Sequence, residues 1–360
     1  AGMSDEEEDA YDLETHQKYE QVKRSELHLV DLQRMNVQEL HDICKKEGIE
    51  EYIGLKKQDL IFKILKKRIQ DNGLMVGEGL IGEGLSLPNP VRLELLRVST
   101  ELVAGKKALF LCPTAETEEE TVSNVLALTR ILKDYPDPDS LFWVDLPLWY
   151  HSNRKLPQFY REWKGYTPYP ILLQNHPSLI SRLNRSLKRT NIRTAVMKRL
   201  AENEQIVGVI QAGDLKRTLH YQRAVRGRRD FRFYDGDERN FLHSPSVSGV
   251  ISAGSNLLPA EWSQVVTASL KISEDPAGNL LLLKQSQKLL ELSRLLKKSP
   301  AASLKAAFHL LGWISGGKVL DPPPESSSPP GAELAGFLRA NFSLQRPLES
   351  DIHIPKTDWR

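Results

Sequence analysis

Cysteine is nearly missing from the chain: Cys44 and Cys112 are the two present in 360 residues. They stand far apart without CxxC spacing, which excludes a disulfide framework and a thiolate zinc site. Long hydrophobic runs are missing too, none reaching the ~18 residues that argue for a membrane-spanning helix. Net charge is close to zero, with 49 Lys and Arg against 47 Asp and Glu, so the total points to no class of partner. The first residues lack the basic and then apolar pattern of a secretory signal, since Ser4, Asp5, Glu6, Glu7, Glu8 and Asp9 are acidic or polar. His151, His176, His220 and His243 are scattered without ligand spacing, so no metal and no cofactor are expected. These absences predict a cytoplasmic protein that does not meet membranes. What is present is ordinary for a globular chain, 40% hydrophobic and 27% charged, enough to bury a core in two domains or in one barrel with an appendage.

The pattern along the chain predicts four regions. Residues 1–25 are acidic, have no apolar periodicity, and read as a disordered tail. Residues 26–71 read as a small helical domain. Asn36 with Glu39 three residues on has the spacing of a capping box, ahead of Leu40, Ile43 and Cys44 at helical intervals. A second helix carries Leu60, Ile61, Ile64 and Leu65 on one face and lysines mostly on the other. From 72 to 342, short apolar runs alternate with amphipathic stretches. Strands are expected at Leu74–Val76, Ala108–Cys112, Leu141–Leu146, Ile171–Gln174, Ile206–Gln211, Phe231–Tyr234 and Val250–Ala253, with helices between and after them. That order predicts an α/β fold with a parallel sheet, best fitted by a (β/α)8 TIM-type barrel. Residues 343–360 read as an extended tail.

Two resemblances sharpen this reading. Leu32, Met35 to Val37, Glu39, Leu40 and then Gly54 through Lys66 resemble the N-terminal helical domain of transcription termination factor Rho, most closely in the run Lys56, Lys57, Gln58, Asp59, Leu60, Ile61, Phe62, Lys63, Ile64, Leu65. The candidate phosphate contacts there are Lys56, Lys57, Lys66, Lys67 and Arg68, cations that gain from counterion release on nucleic acid. The barrel region resembles the dihydrodipicolinate synthase and N-acetylneuraminate lyase family of class I aldolases. Gly79 to Glu83 stands for Gly-Thr-Thr-Gly-Glu, and Leu173 to Pro177 for Leu-Tyr-Asn-x-Pro. Ile206 to Asp214 stands for the segment bearing the Schiff-base lysine, Asp235 to Glu238 for Ser-Gly-Asp-Asp, and Gly249 to Pro259 for Gly-Val-Ile-Ser-x-x-Ala-Asn-x-x-Pro.

The resemblance implies catalysis through a lysine, a tyrosine and a threonine pair, and at each of these positions the chain departs from it. Ile210 aligns with the lysine, Gln174 with the strand-five tyrosine, and Leu80 and Ile81 with the threonines; Leu179 replaces an arginine that binds a carboxylate. Isoleucine cannot form an imine, and an amide cannot relay a proton as a phenol does. Gly79, Gly82, Glu83, Trp149, Tyr150, Asn175, Leu179, Gln211 and Asp235 are then the expected lining of a vestigial pocket, with Trp149 or Tyr150 keeping the aromatic that follows Pro147. No room remains before Gly79 for a normal first strand and helix, so strand one is expected to be missing or replaced by Leu27–Leu32. The function expected is that of a catalytically degenerate binding or scaffold protein; the alternative is a lyase or synthase with a relocated amine, Lys107 or Lys216. Between Arg182 and Arg232 fourteen Lys and Arg stand against four carboxylates, a polyanion surface by charge. RNA, DNA or an acidic protein are therefore the expected partners, and the family resemblance implies a homo-oligomer.

Overall fold

The computed structural model describes residues 36–46, 52–54, 56–57, 60, 73–77, 82–183, 189–244, 248–270, 276–297, 299–320 and 332–341. Two compact units emerge, residues 1–78 with 87–236, and residues 79–86 with 237–360. Both terminal tails, the segment Leu27–Leu32 and most of the second basic helix lie outside the described residues.

In the first unit, α1 (Val37–Lys46) opens on the expected capping box. Asn36 Oδ1 accepts from the Glu39 amide at 3.0 Å while the Glu39 carboxylate accepts from the Asn36 amide at 2.7 Å, which satisfies two otherwise orphaned donors. Leu40, Cys44 and Leu60 are fully buried. Six strands follow, β1 (Leu74–Val76), β2 (Leu109–Leu111), β3 (Leu141–Asp145), β4 (Ile171–Asn175), β5 (Ile206–Gln211) and β6 (Arg232–Asp235). Each pairs in parallel with the next in chain order, as successive β-helix-β crossovers require. The middle strands are continuous apolar runs because a parallel sheet covered by helices is buried on both faces, and β2, β3 and β4 are buried throughout.

The intervening helices are α2 (Asn89–Val103), α3 (Glu118–Ile131), α4 (Leu156–Trp163), α5 (Pro177–Ser181), α6 (Thr194–Leu200) and α7 (Leu215–Ala224). Local chemistry sets where they start. Thr117 accepts from the Glu120 amide and Asp214 from the Arg217 amide, while α2, α4 and α5 carry proline in the first two positions, where its missing N–H costs nothing. Helix α6 ends at Leu200, and beyond it the Asn203 side chain donates to the Tyr160 carbonyl at 2.7 Å and accepts from the Gln205 amide at 3.0 Å, making a turn into β5.

The second unit holds a seventh strand, β7 (Gly249–Val250), and helices α8 (Glu238–His243), α9 (Pro259–Leu270), α10 (Pro276–Leu296), α11 (Pro300–Leu310) and α12 (Ala332–Asn341). Two carboxylates organise it. Buried Glu238 accepts from the Ser252 hydroxyl at 2.6 Å, the Gly254 amide at 2.7 Å and the Ser293 hydroxyl, joining α8 to the turn after β7 and to α10. Glu83 pairs with Lys305 of α11 and accepts from the Leu320 amide at 2.5 Å. Among the described residues no helix is long and apolar enough to cross a membrane.

Close packing at Gly208 in β5 sets the spacing of the central strands. A β-carbon there would stand 2.5 Å from the Arg232 carbonyl oxygen, 2.8 Å from the Arg232 Cβ and 2.9 Å from a Leu172 methyl. The Gly208→Ala variant is therefore expected to lose about 1–3 kcal/mol, the usual cost of forcing atoms into a packed core, and urea unfolding of the two chains measures it. An alanine variant as stable as the wild type would show that the strands separate without strain.

Candidate functional site

The Gly208 contacts also define which side chains share a face. Leu172, Gly208 and Arg232 lie side by side on neighbouring strands. Side chains alternate along a strand, so two residues on, at the carboxyl ends, Gln174, Ile210 and Tyr234 form the next tier in register on that face. Ile210 is fully buried and Gln174 nearly so. Tyr234 is held up at about 12, chiefly by burial, and Arg232 beneath it is lowered to about 10, again chiefly by burial. The face thus joins apolar side chains to one amide, one phenol kept protonated and one guanidinium. In the sequence Arg232 stood only as the end of a basic surface stretch and Tyr234 not at all; the structure places both in β6, on one face by its two-residue alternation.

The opposite face of the same strand ends meets the helices through a polar network. Asn175 donates to Asn191 Oδ1 at 2.9 Å and to Gln211 Oε1 at 2.8 Å, and its own Oδ1 accepts from the Ile192 amide at 2.8 Å. Asn153 extends this by donating to the Asn191 carbonyl and accepting from the Arg193 amide. Asn175 and Gln211 therefore come together as expected, but as braces for the segment entering α6. The Gln211 Nε2 is buried with no hydrogen-bond partner.

One strand over, fully buried Asp145 accepts three hydroxyls: Thr114 at 2.7 Å, Tyr150 at 2.6 Å and Tyr160 of α4 at 2.5 Å. Burial pushes its carboxyl above the usual range, opposed by these hydrogen bonds, and burial likewise raises both phenols. Tyr150, expected to line the vestigial pocket, is thus committed to a strut between β3 and α4. His151 beside it has Nε2 3.2 Å from a Glu118 carboxylate oxygen and Nδ1 2.8 Å from the Ser152 carbonyl.

The remaining expected positions scatter. Trp149 is half-buried in the turn after β3, Leu179 is buried in α5 and Asp235 ends β6 half-buried. Gly82 is exposed, and Glu83 is engaged with Lys305 and Leu320 in the second unit. Gly79, Leu80, Ile81, Lys66, Lys67 and Arg68 lie outside the described residues, whereas Lys56 is exposed and Lys57 half-exposed. Among the described residues no cluster of His, Cys, Asp and Glu is arranged to hold a metal ion.

A parallel sheet wrapped by helices, with chemistry-bearing residues at the carboxyl ends of its strands, defines an α/β protein of the TIM-barrel type. The chain belongs to the dihydrodipicolinate synthetase family, whose model matches residues 62–338. A second model, the Rho termination factor N-terminal domain, matches residues 31–73. Among curated relatives, the 4-hydroxy-tetrahydrodipicolinate synthase of Idiomarina loihiensis is 24% identical over 291 residues, covering 77% of this chain and 88% of that protein. The transcription termination factor Rho of Rhodopirellula baltica is 39% identical over 62 residues, 17% of this chain; the chain spans only 12% of that protein's length. Among solved structures, dihydrodipicolinate synthase from Bacteroides thetaiotaomicron matches with a TM-score of 0.60 at 19% identity, covering 75% of this chain and 87% of that one.

The Asp145 strut carries a pH signature. A carboxyl whose folded pKa is raised binds its proton more tightly folded than unfolded, so it favours the native state below the ordinary carboxylate range, and that contribution is lost as pH rises through the raised value. Asp145→Asn keeps the shape but places an N–H among three hydroxyl donors, at an expected cost of about 1–3 kcal/mol. The excess stability of wild type over variant is expected to shrink as pH rises from the ordinary carboxylate range. Denaturant melts across that range measure it, and a difference that grows with pH would mean the ionised form is the one folding favours.

Proposed function

We propose that this chain is a catalytically degenerate member of its family that works as a binding or scaffold protein linked to nucleic acid. One observation carries the reading: Ile210, at the position aligned with the Schiff-base lysine, is fully buried between Gln174 and Tyr234. Imine formation needs an amine that can reach a carbonyl carbon in its neutral form, and this tier offers an alkyl chain, an amide and a phenol. The relay has no substitute in kind, since Gln174 cannot exchange a proton near neutral pH and Tyr150 donates to Asp145. Leu179, in place of a carboxylate-binding arginine, is packed into the core.

The lyase alternative needs another lysine at the strand ends. Lys107 precedes β2 and so stands at the amino end of the strands, and Lys216 is exposed on α7; neither position favours that reading. The nucleic-acid link draws on the match of residues 31–73 to the Rho domain and on Lys56 and Lys57 at its surface. Cys44 and Cys112, both buried as free thiols, suit a reducing compartment such as the cytoplasm. A homo-oligomer is carried over from the family.

The test is to incubate the full chain with pyruvate, reduce with borohydride and weigh the protein. No added mass is expected, and Ile210→Lys alone is expected to give no condensation of pyruvate with an aldehyde, because catalytic groups that act as a unit are not restored one at a time. A stoichiometric reduced adduct on any lysine of the wild-type chain would overturn the reading.

A further inference from the structure

Nine of the fourteen cations of the 182–232 stretch fall on α6, α7, the loop after α7 and β6 and sort into two groups; Arg182, Arg189 and Arg193, also exposed, stand before α6, and Arg185 and Lys188 lie outside the described residues. Arg228 is spent on structure: it forms a two-pronged pair with Asp230 at 2.8 and 2.6 Å and donates to the Ala201 and Asn203 carbonyls at 2.8 and 3.3 Å. Arg217 lies over the Tyr221 ring, 5.9 Å from its centroid, and reaches Thr194. Arg232 is in the sheet. The second group faces outward: α6 exposes Lys198 and Arg199, α7 exposes Lys216 and Arg223, and the loop after α7 exposes Arg226 and Arg229. None of these six pairs with a carboxylate among the described residues.

The six belong to one rigid platform, because three cross-links tie the region of α6 to that of α7. Tyr221 donates to the Ile192 carbonyl at 2.5 Å, Arg217 joins Thr194, and Arg228 bridges from the loop to the carboxyl end of α6. The last of these brings the loop that carries Arg226 and Arg229 to the carboxyl end of α6, whose last turn carries Lys198 and Arg199. Cations in the last turn of a helix complement its dipole, which accounts for Lys198, Arg199 and Arg223 without any ligand. Lys216 gains nothing of the kind, standing in the first turn of α7, where the dipole is unfavourable to a cation. Nor does the dipole explain Arg226 and Arg229, which lie beyond the helix.

Resting on the reading of a nucleic-acid-linked binding protein, we propose that the outer face of α6, α7 and the loop 225–230 docks the sugar–phosphate backbone of a nucleic acid. Four of the six cations are arginines, whose planar fork meets phosphate oxygens two at a time. The large aromatic rings of this region, Tyr221 and Phe231, are buried and His220 of α7 is half-buried, so among the described residues the face exposes no Phe, Tyr or Trp on which bases would stack. Recognition is therefore of the backbone, tolerant of sequence, and suited to a duplex that presents its phosphates on a fixed lattice. Leu215 and Leu219, 46% and 42% exposed on α7, make an acidic amphipathic peptide the occupant to compete against.

The experiment is a fluorescence-anisotropy titration of the full chain with mixed-sequence duplex DNA, single-stranded RNA and polyglutamate across a salt series. Duplex binding is expected to weaken steeply with salt, log K falling by about 0.9 per phosphate neutralised for each tenfold rise. The quadruple variant Lys198→Gln, Arg199→Gln, Arg226→Gln, Arg229→Gln, with an unchanged thermal melt, is expected to flatten that slope by about 1 for each side chain that had met a phosphate. On the wild-type chain, duplex is expected to shield Arg199, Arg226 and Arg229 from phenylglyoxal while Arg130 on α3 still reacts, a readout that needs no variant. An unchanged slope, an unshielded platform, or polyglutamate binding as tightly as duplex would overturn the proposal. Loss of binding only in the Lys56→Gln, Lys57→Gln variant would move the contact to the N-terminal lysines and leave the nucleic-acid reading standing, whereas no binding by the wild-type chain at low salt would end both.

Discussion

No side chain fits at residue 208 without displacing its neighbours, and that constraint sets the tier at the carboxyl ends of β4, β5 and β6. With only a hydrogen on Gly208, β4 and β6 close on β5 so that a Leu172 methyl and the Arg232 backbone fill the space. The next inward tier is then obliged to be Gln174, Ile210 and Tyr234, because strand register carries forward two residues at a time. Whatever this face now does follows from which side chains stand there. The same register sends Asn175, Gln211 and Asp145 to the helix side, where their hydrogen-bonding capacity goes into holding loops.

The division of labour between faces explains why polar residues at strand ends are poor evidence of chemistry in this molecule. Asp145 has a raised carboxyl, is buried, and sits at the end of a barrel strand, the description of a general acid. Its three hydroxyl donors come from β2's following loop, its own following turn and α4, which is the description of a structural strut. Asn175 is alike: both its amide hydrogens and its carbonyl are taken by protein groups. A group whose capacity is used up by the fold has little left for a substrate.

How far the sequence could be read varied with the physics of each segment. Six strands stood where short apolar runs predicted them, clearest in β2 to β4, which are buried on both sides and leave a continuous signal, whereas the seventh, expected at Val250–Ala253, is Gly249–Val250 and shares only Val250 with that run. The capping box at Asn36 and Glu39 was legible for the same reason, being a purely local exchange of two hydrogen bonds. Helix α4 leaves a weaker mark: its Phe159, Tyr160 and Trp163 have strand-like propensity, and tertiary packing of those rings overrides it. Helix α8 is as hard to read, being a single turn or so that depends on the Asp237 cap. At the site, Ile210 and Gln174 were legible from alignment alone. Their neighbour Tyr234 was not, since cross-strand pairing between β5 and β6 joins residues 24 apart in sequence and leaves no local mark. The commitment of Tyr150 to Asp145 was hidden likewise, because nothing local says which acceptor a phenol will find.

Isoleucine at 210 is also a statement about stability. A lysine in this tier would have to shed its hydration beside an apolar wall, at a cost met in active enzymes by lowering the amine's pKa. Fully burying an isoleucine instead contributes about 1.5–3 kcal/mol relative to leaving it exposed, and it packs against neighbours that offer no charge to pair with. Gln174 works in the same direction, having no proton to lose in place of a phenol held near a catalytic amine. Tyr234 keeps its proton, and Arg232 is enclosed beneath it. Ile210 and Gln174 thus make a buried tier with Tyr234, within the same unit that carries the cations on α6 and α7.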